Sequence, residues 1–572
     1  MEDTLTIGIH DGHNCGASLA VNGKIVLSFS EERFTRKKNQ VGFPFLSIKE
    51  ILTYYSINDK DIDSYYFSSK FMHQIEYLLN LEDWYKKNYN DQKLEQIKPK
   101  YYEKKIFNIR KQERISDLIS ITNCQIKKIF FLDHHSCHLY ASYFCSPFIN
   151  SKGKVLGITA DGSGDNISST VNIIENGNIK KISKSSRHAS LGKIYSRITM
   201  LLGMKPWEHE YKVMGLAPYS DQKIINKEIY KLKKLLAVDK NKLIFKQKTK
   251  LSMNYIMEYL QENFKFMRFD NIAGVVQQFT EDLIIELIRA AVKKTKSDTV
   301  VCGGGLFMNI KANKLISEIS EIKKIFFMPS SGDESLAIGA ALYGYYKNRK
   351  FSNKSKLDDL YLGKDYKYLE SIDEIKSFSK KYNQKIKILK NIDKEKLIAK
   401  LLSEKKIIGR CCGRSEWGAR SLGNRSILCR PDNLENIKIL NNAIKFRDFW
   451  MPFAPAILED KYKDYIINKK NITPYFMSIA FDTVAKKRNN IIAALHPIDN
   501  TARPQVVNKK NNIEFYNLIY EFYKISNIPC LLNTSFNLHG EPIVETPSDA
   551  LRVFFKSKID VLILNNYLII KN

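Results

Sequence analysis

Short apolar runs that break off into polar, glycine-rich turns recur along this chain, and one succession of them occurs twice. Leu5 to Ile9 reads as a short strand and is followed by His10-Asp11-Gly12-His13-Asn14-Cys15-Gly16. The apolar runs Ala17 to Val21 and Lys24 to Leu27 then meet across Asn22-Gly23, a dipeptide suited to a two-residue hairpin turn. The same order returns at Val155 to Thr159, Asp161-Gly162-Ser163-Gly164-Asp165, Thr170 to Ile174, the turn Asn176-Gly177, and Ile179. A strand, an Asp-Gly turn and a hairpin repeated at a spacing of about 150 residues predict an internal duplication of one half of a fold.

Each glycine-rich turn offers backbone N–H groups that can wrap a phosphate. A duplicated phosphate-loop hairpin of this kind resembles the actin-like ATPase architecture, in which two ribonuclease-H-like lobes close over a nucleotide. Two ordinary hairpins of an α/β protein are the plainer reading. Further on, Thr299 to Cys302 forms a strand that runs into Gly303-Gly304-Gly305 and on to Asn309. Three glycines before a helix let a flat ring or a phosphate come close, although a tight turn explains them too. Lys324 to Pro329 is another strand, ending in Ser330-Ser331-Gly332-Asp333-Glu334 before an alanine-rich helix from about Ser335 to Tyr346. An Asp at a strand's carboxyl end lies where open α/β sheets collect ligands. Residues 47–113 and 222–263 are helical in tone and carry no evident chemistry, and aromatic stripes such as Asp83-Trp84-Tyr85 read as packing.

The apolar run ending at Phe131-Leu132 leads into Asp133-His134-His135-Ser136-Cys137-His138. Positions i and i+4 share one face of a helix, so His134 and His138 can hold a single metal ion. A lone pair of this spacing is more often two unrelated histidines. Its company raises the odds, because Asp161 and Asp333 also sit where an apolar run ends in a glycine-rich turn.

The length of 572 residues exceeds what one core serves and predicts two domains, the larger one itself bilobal. The formal charge of +30 comes mostly from dispersed lysines. This fits a solvated surface at least as well as a nucleic-acid groove, and attracts phosphorylated substrates at long range. The nine cysteines are scattered and include no Cys-x-x-Cys, which argues against a disulfide framework and for a reducing cytoplasm. The N-terminus has no secretory pattern, and no apolar stretch reaches the roughly 20 residues that span a bilayer, so a soluble protein without a membrane partner is expected.

In the C-terminal part, the strand pattern Lys406 to Arg410 precedes Arg414, Arg420, Arg425 and Arg430. Guanidinium groups bind phosphate and carboxylate in bidentate fashion, and lysine does the ordinary solvating elsewhere, so this stretch is expected to hold anions. Lys347 to Lys356 reads as a linker, which places the expected domains at 1–355 and 356–572.

Several stretches together resemble the carbamoyltransferases of antibiotic and nodulation-factor biosynthesis. They are His13-Asn14-Cys15-Gly16-Ala17-Ser18, Glu31-Glu32-Arg33-Phe34-Thr35-Arg36-Lys37-Lys38, Asp133-His134-His135 through His138, Glu210-Tyr211-Lys212-Val213-Met214-Gly215-Leu216-Ala217, Cys302-Gly303-Gly304-Gly305 and Gly332-Asp333-Glu334. Beyond these come Gly413-Arg414-Ser415-Glu416-Trp417-Gly418-Ala419-Arg420-Ser421-Leu422-Gly423-Asn424-Arg425-Ser426, Pro452-Phe453-Ala454-Pro455 and Leu532-Asn533-Thr534-Ser535-Phe536-Asn537. They run in order over nearly the whole chain.

The resemblance implies an α/β protein in two parts. The N-terminal domain would be bilobal and actin-like, similar to tRNA threonylcarbamoyltransferase, and the smaller α/β domain would be similar to threonylcarbamoyl-adenylate-forming enzymes. It implies two steps: carbamoyl phosphate and ATP, with Mg, give carbamoyl-adenylate, and the carbamoyl group passes to a hydroxyl of a small molecule such as a sugar or secondary metabolite. Carried over by position, His134, His138, Asp161 and Asp333 bind a divalent metal, iron(II) by resemblance, with zinc or manganese equally suited to two nitrogens and two oxygens. His13 matches the transfer-site base. Gly303, Gly304, Gly305, Asn309, Lys38 and Lys212 fall to the nucleotide. Arg420, Lys445, Asn533 and Ser535 fall to carbamoyl phosphate and ATP in the C-terminal domain, with Arg503 and Gln505 as further candidates. Met451 stands where some relatives carry an arginine, and Arg447 is the nearby substitute. The competing readings are an RNA-binding component of tRNA threonylcarbamoylation and an actin-like scaffold without chemistry. Fusion of both domains favours the enzyme, which makes nucleic acid a poor partner and leaves a homodimer open.

Overall fold

The computed structural model describes residues 3–73, 75–80, 85–97, 100–149, 151–175, 178–347, 349, 355–366, 372–390, 393–445 and 447–572. The chain divides into two compact units, Met1–Glu31 with Asn39–Leu357, and Glu32–Lys38 with Asp358–Asn572.

The first unit holds two five-stranded sheets of one topology. Strands β1 (Leu5–His10), β2 (Gly16–Val21), β3 (Lys24–Ser30), β4 (Ser64–Phe67) and β5 (Ile129–Phe131) lie in the order β3-β2-β1-β4-β5. Strands β6 (Val155–Gly164), β7 (Ile167–Glu175) and β8 (Asn178–Ser186) precede the small hairpin β9 (Leu236–Asp239) and β10 (Ile244–Gln247). Then β11 (Thr299–Gly303) and β12 (Lys324–Phe327) complete the order β12-β11-β6-β7-β8. In each sheet the first three strands in sequence are antiparallel, and the later two join parallel to the first. This is the duplicated ribonuclease-H-like, actin-like arrangement. The inner strands β1 and β11 are buried almost throughout, as expected of strands covered on both faces.

Asn22 and Gly23 have φ of 51° and 77°, so the first hairpin closes with the positive-φ turn its sequence predicts. Asn176-Gly177 lies outside the described residues. Two stretches read as helical are not wholly so. Ser64-Tyr65-Tyr66-Phe67 is the fully buried β4, its apolar character hidden by hydroxyl groups, and the stretch 222–263 contains the hairpin β9-β10.

Two helices pack together in the first unit, His134–Phe144 and Ser335–Tyr346. They cross at Gly339, where a Cβ atom would stand 1.8 Å from the Cys137 carbonyl oxygen, so only glycine permits the approach. Thr6 Oγ1 donates to the Ala341 carbonyl at 2.9 Å and ties the second helix to β1.

The second unit is built on a mixed eight-stranded sheet. Its strands are β13 (Ile386–Lys390), β14 (Ile408–Cys411), β15 (Arg425–Cys429), β16 (Ala454–Leu458), β19 (Gln505–Val507), β20 (Cys530–Ser535), β21 (Val561–Leu564) and β22 (Tyr567–Lys571). The short pair β17 (Ile466–Ile467) and β18 (Asp482–Thr483) stands apart. The order is β13-β22-β21-β14-β15-β20-β16-β19. Ile427, Leu532, Phe536, Leu551, Phe554 and Leu562 form part of its core.

Glu32–Lys38 folds with this unit through two arginines. Arg33 Nη2 donates to the carbonyls of Gly418 (3.0 Å) and Glu416 (3.3 Å), and Arg36 donates to those of Ile543 (2.7 Å) and Pro542 (2.8 Å). Glu31, one residue earlier, belongs to the first unit, where its carboxylate accepts from Leu46 N, Ser47 N and Ser47 Oγ. Among the described residues no helix is long and apolar enough to cross a membrane.

Candidate functional site

Asp133 caps the helix His134–Phe144 by accepting from Ser136 N, which starts the helix at the first of the paired histidines. The helical repeat then brings His134 and His138 together, with their Nε2 atoms 3.1 Å apart. His134 Nε2 lies 3.4 Å from Asp161 Oδ2, and Asp333 Oδ1 is 3.7 Å from both histidine nitrogens. One ligand atom from each of the four residues lies within 4.8 Å of the others. Two imidazole nitrogens bound to one cation at roughly 2.1 Å each stand about 3–3.4 Å apart, so the donor set fits a divalent metal of the iron, zinc or manganese kind.

The surroundings fix these side chains. His138 Nδ1 is bonded to Ser335 Oγ at 3.2 Å, which leaves Nε2 facing the cluster. Asp161 Oδ1 accepts from Gly305 N at 2.9 Å. Gly164 leaves room for the His134 ring, since a Cβ there would stand 2.1 Å from it. Asp165 is a structural acceptor, taking N–H groups from His134, Lys70 and Phe71. His135 is engaged elsewhere, with Thr159 Oγ1 and the Ile167 carbonyl, and burial followed by the His134 charge lowers it to about 4.

The electrostatics are those of opposed charges in a buried space. Burial works against a charged His134, yet its hydrogen bond to Asp161 and the charges of Asp333 and Asp161 lift it to about 9. Burial would raise Asp161, but bonding to His134 and that residue's charge hold it well below the ordinary carboxylate range. Burial and the Asp161 charge push Asp333 up to about 7.

His13 stands beside this cluster on the loop after β1. Burial lowers it to about 4, against the opposing charges of Asp161 and Glu208, so its imidazole is neutral at pH 7 and able to accept a proton. Its ring lies 4.9 Å from that of Trp207. Trp207 has a φ of 65°, and its N–H is accepted by Glu210 Oε1 at 2.8 Å. A bulky residue in the left-handed region is strained, a state that clusters at functional sites.

Three features of this region have no motif in the sequence that announces them. His10 Nε2 donates to the His13 carbonyl at 2.9 Å, while its Nδ1 meets Ser68 Oγ at 2.9 Å and its ring lies 3.8 Å from Asp333. Asp11 is buried against two arginines of the helix Lys100–Thr122. Arg114 Nη2 donates to it at 2.8 Å, and Arg110 stands 3.4 Å away. The inserted helical region therefore braces the His13 loop instead of being silent. Lys193, on the helix Leu191–Leu201, is 2% exposed, and burial with the charge of Arg197 drives its ammonium down against the pull of Asp161 and Asp333. A lysine and an arginine one turn apart within an apolar helical pattern were the available signal.

The expected nucleotide residues scatter. Gly303, Gly304 and Gly305 do lie beside the cluster, and Gly304 has a φ of 102°. Asn309 caps the helix Ile310–Ser317 and exchanges hydrogen bonds with Gln277. Lys212 is half-buried on the helix Glu210–Leu216. Lys38 belongs to the second unit, in the segment anchored by Arg33 and Arg36.

In the second unit three of the four dense arginines serve the fold, which corrects their reading as anion ligands. Arg425 is enclosed by the carbonyls of Cys412, Gly413, Asn424 and Glu545. Arg430 forms a bidentate pair with Asp432 and donates to the Ser403 carbonyl, and Arg414 Nε donates to the Gly363 carbonyl. Arg420 differs, because its charge falls on Arg503, as does that of Arg447. The Arg503 guanidinium has no hydrogen-bond or carboxylate partner among the described residues, and its Nε is buried. Lys445 is held by Ser535 Oγ (3.1 Å), the Asn537 carbonyl (3.0 Å), Asn537 Oδ1 (2.5 Å) and the Ser535 carbonyl, and it feels Arg447 and Lys38. Asn533 donates to Gln505 Oε1 (2.9 Å), and Gln505 to the Leu422 carbonyl (2.7 Å). Arg503, with the charges of Arg420 and Arg447 upon it and amides in the same unit, makes a candidate anion site.

Both parts of the chain match described families. Residues 5–342 match the carbamoyltransferase N-terminus and residues 399–571 the carbamoyltransferase C-terminus. The chain is 33% identical over 590 residues to an uncharacterized protein of Methanocaldococcus jannaschii, covering 99% of this chain and 100% of that one. It is 27% identical to the nodulation protein NolNO of Sinorhizobium fredii, covering 98% of this chain and 79% of the relative. Among solved structures, HypF of T. kodakarensis aligns with 60% of this chain and 48% of its own at 10% identity and a TM-score of 0.33. With both family patterns spanning the two units that carry the metal-ligand cluster and the cation cluster, the chain belongs to the carbamoyltransferase family.

Proposed function

We propose that this carbamoyltransferase works in two steps. The second unit joins ATP, as its Mg complex, and carbamoyl phosphate into carbamoyl-adenylate, consuming one water and releasing phosphate and pyrophosphate. The first unit then passes the carbamoyl group to a hydroxyl of a small molecule. The observation that carries this reading is the convergence of His134, His138, Asp161 and Asp333 within 4.8 Å beside the neutral His13.

In the first step Arg503, Arg420 and Arg447 would bind the anionic oxygens of both substrates, and Lys445 would add charge while Ser535 and Asn537 hold its ammonium in place. Gln505 and Asn533, bonded to each other, present amide groups that suit a carbamoyl amide. In the second step His13 would take the acceptor's hydroxyl proton, with His10 fixing the loop through the His13 carbonyl and Trp207 fixing the ring. A divalent ion, iron(II) by family resemblance, would be held by His134, His138, Asp161 and Asp333, where it would supply positive charge against the departing phosphate. Nine buried thiols, none in a disulfide, suit a reducing cytoplasm.

The test supplies ATP, Mg and carbamoyl phosphate to metal-loaded protein without any acceptor. Pyrophosphate release that requires carbamoyl phosphate is expected. Folded, metal-loaded protein that releases none would leave the second unit without this role.

A further inference from the structure

We infer that Lys193 is the cation that faces the carbonyl oxygen of the carbamoyl group during transfer, opposite the base His13. The inference rests on the reading of the first unit as the transfer site.

The helix that carries Lys193 is fastened to the loop of a metal ligand. Ser190 caps it by accepting from Lys193 N at 3.0 Å, and the same hydroxyl donates to the Gly162 carbonyl at 2.5 Å. Gly192 allows the contact, because a Cβ there would lie 3.0 Å from Gly162 N. The Lys193 stem then crosses Gly162, its Cε 3.9 Å from where a Cβ of that glycine would stand. Its Nζ ends 5.6 Å from the Trp207 ring centre and 5.8 Å from that of Tyr85. The His13 ring packs on the same Trp207 at 4.9 Å. Base and ammonium thus share one indole, and both feel the charge of Asp161.

The position is costly to maintain. Lys193 is 2% exposed and Arg197, one turn on, is wholly buried, although the helix could present apolar residues there instead. Balancing the two carboxylates is the ordinary account of such a charge, and it asks nothing of Trp207 or His13.

The chemistry needs a donor at this place. The acceptor oxygen gives its proton to His13 and forms a bond to the carbamoyl carbon, whose C=O electron pair moves onto oxygen. That pair returns as the bond to the phosphate oxygen breaks, and AMP leaves with the bonding electrons. The transient oxyanion is met by the Lys193 ammonium between aromatic walls, where a charged donor acts strongly.

The probe is a sulfamate-linked, non-hydrolysable carbamoyl-adenosine with a ¹³C carbonyl, bound to the full metal-loaded chain and read by infrared difference spectroscopy. The wild-type carbonyl band should lie below its position in water, rise in Lys193→Met and stay low in Lys193→Arg. With water as acceptor, AMP release in a first turnover should fall ~10²–10³-fold in Lys193→Met while pyrophosphate release is unchanged. A wild-type band at its aqueous position overturns the inference even if the methionine variant does not fold. So does a band that Lys193→Met, with probe bound, leaves in place. Wild-type protein that neither binds the probe nor releases pyrophosphate contradicts the two-step reading itself, and the role of Lys193 goes with it.

Discussion

The Nε2 atoms of His134 and His138 stand 3.1 Å apart on one buried helical face, each 3.7 Å from the same oxygen of Asp333. Two nitrogens so placed compete for one proton or share one cation, and this sets the pH behaviour of the site. In the metal-free protein His134 is lifted to about 9, chiefly by Asp161 and Asp333 against burial, while burial and Asp161 bring Asp333 to about 7. A metal arriving between pH 7 and 9 must displace the His134 proton, so apparent affinity should rise about tenfold per pH unit in that window and more steeply below pH 7. The linked stability term has the opposite sign. These groups hold protons that the unfolded chain has already released, so their contribution to the metal-free fold falls as pH rises through these values. Calorimetry in buffers of different ionisation heat should count close to one proton released at pH 8. No release there would contradict the assignment.

Among the described residues Arg503 has no partner to lose. Its guanidinium feels the charges of Arg420 and Arg447 and no acid among the described residues, so Arg503→Ala should abolish carbamoyl-phosphate-dependent pyrophosphate release and stabilise the ligand-free protein, raising its Tm by ~2–4 °C. Differential scanning calorimetry with and without substrate reads both effects. A lower Tm in the ligand-free variant would show that Arg503 serves the fold.

Met451 cannot bind phosphate, and Arg447 is the nearby cation that reaches the cluster, its charge falling on both Arg503 and Lys445. Arg447→Ala should raise the KM for carbamoyl phosphate by ~10-fold or more, in keeping with the loss of a charged hydrogen bond. An unchanged KM would remove it from the substitute role.

Asp11 shows what holds the His13 loop in place. It is wholly buried and bonded to Arg114, with Arg110 close by, so Asp11→Asn leaves the buried Arg114 guanidinium short of its counter-charge, while Arg110 keeps Glu113 at 3.2 Å. Breaking such a pair costs about 3–5 kcal/mol, a shift that denaturant unfolding of the full chain can read. A midpoint equal to wild type would mean the pair is not what braces the loop.

How much of this was legible in the chain depends on where each signal lies. The duplication is legible because strand, glycine-rich turn and hairpin keep their order in both halves, and the four-residue cluster because its members come from segments where an apolar run ends. The arginine-dense stretch misleads for a physical reason. Arg425 and Arg430 have the composition of a phosphate site, but their donors go to carbonyl groups and to Asp432, partners that no spacing rule reveals. His10 and Lys193 escape notice because their neighbours come from distant parts of the chain. The passage of Glu32–Lys38 into the second unit is likewise set by the Arg33 and Arg36 bonds to carbonyls some hundreds of residues away.

The central claim is that four side chains from separated stretches share one divalent ion. Metal analysis of protein reconstituted anaerobically with iron(II), joined to X-ray absorption at the iron edge, tests it most directly. One ion per chain with two imidazole nitrogens in its shell is predicted, with loss of that ion in the double variant His138→Ala, Asp333→Asn. Wild-type protein that retains no iron, or a double variant that keeps its full complement, would contradict it.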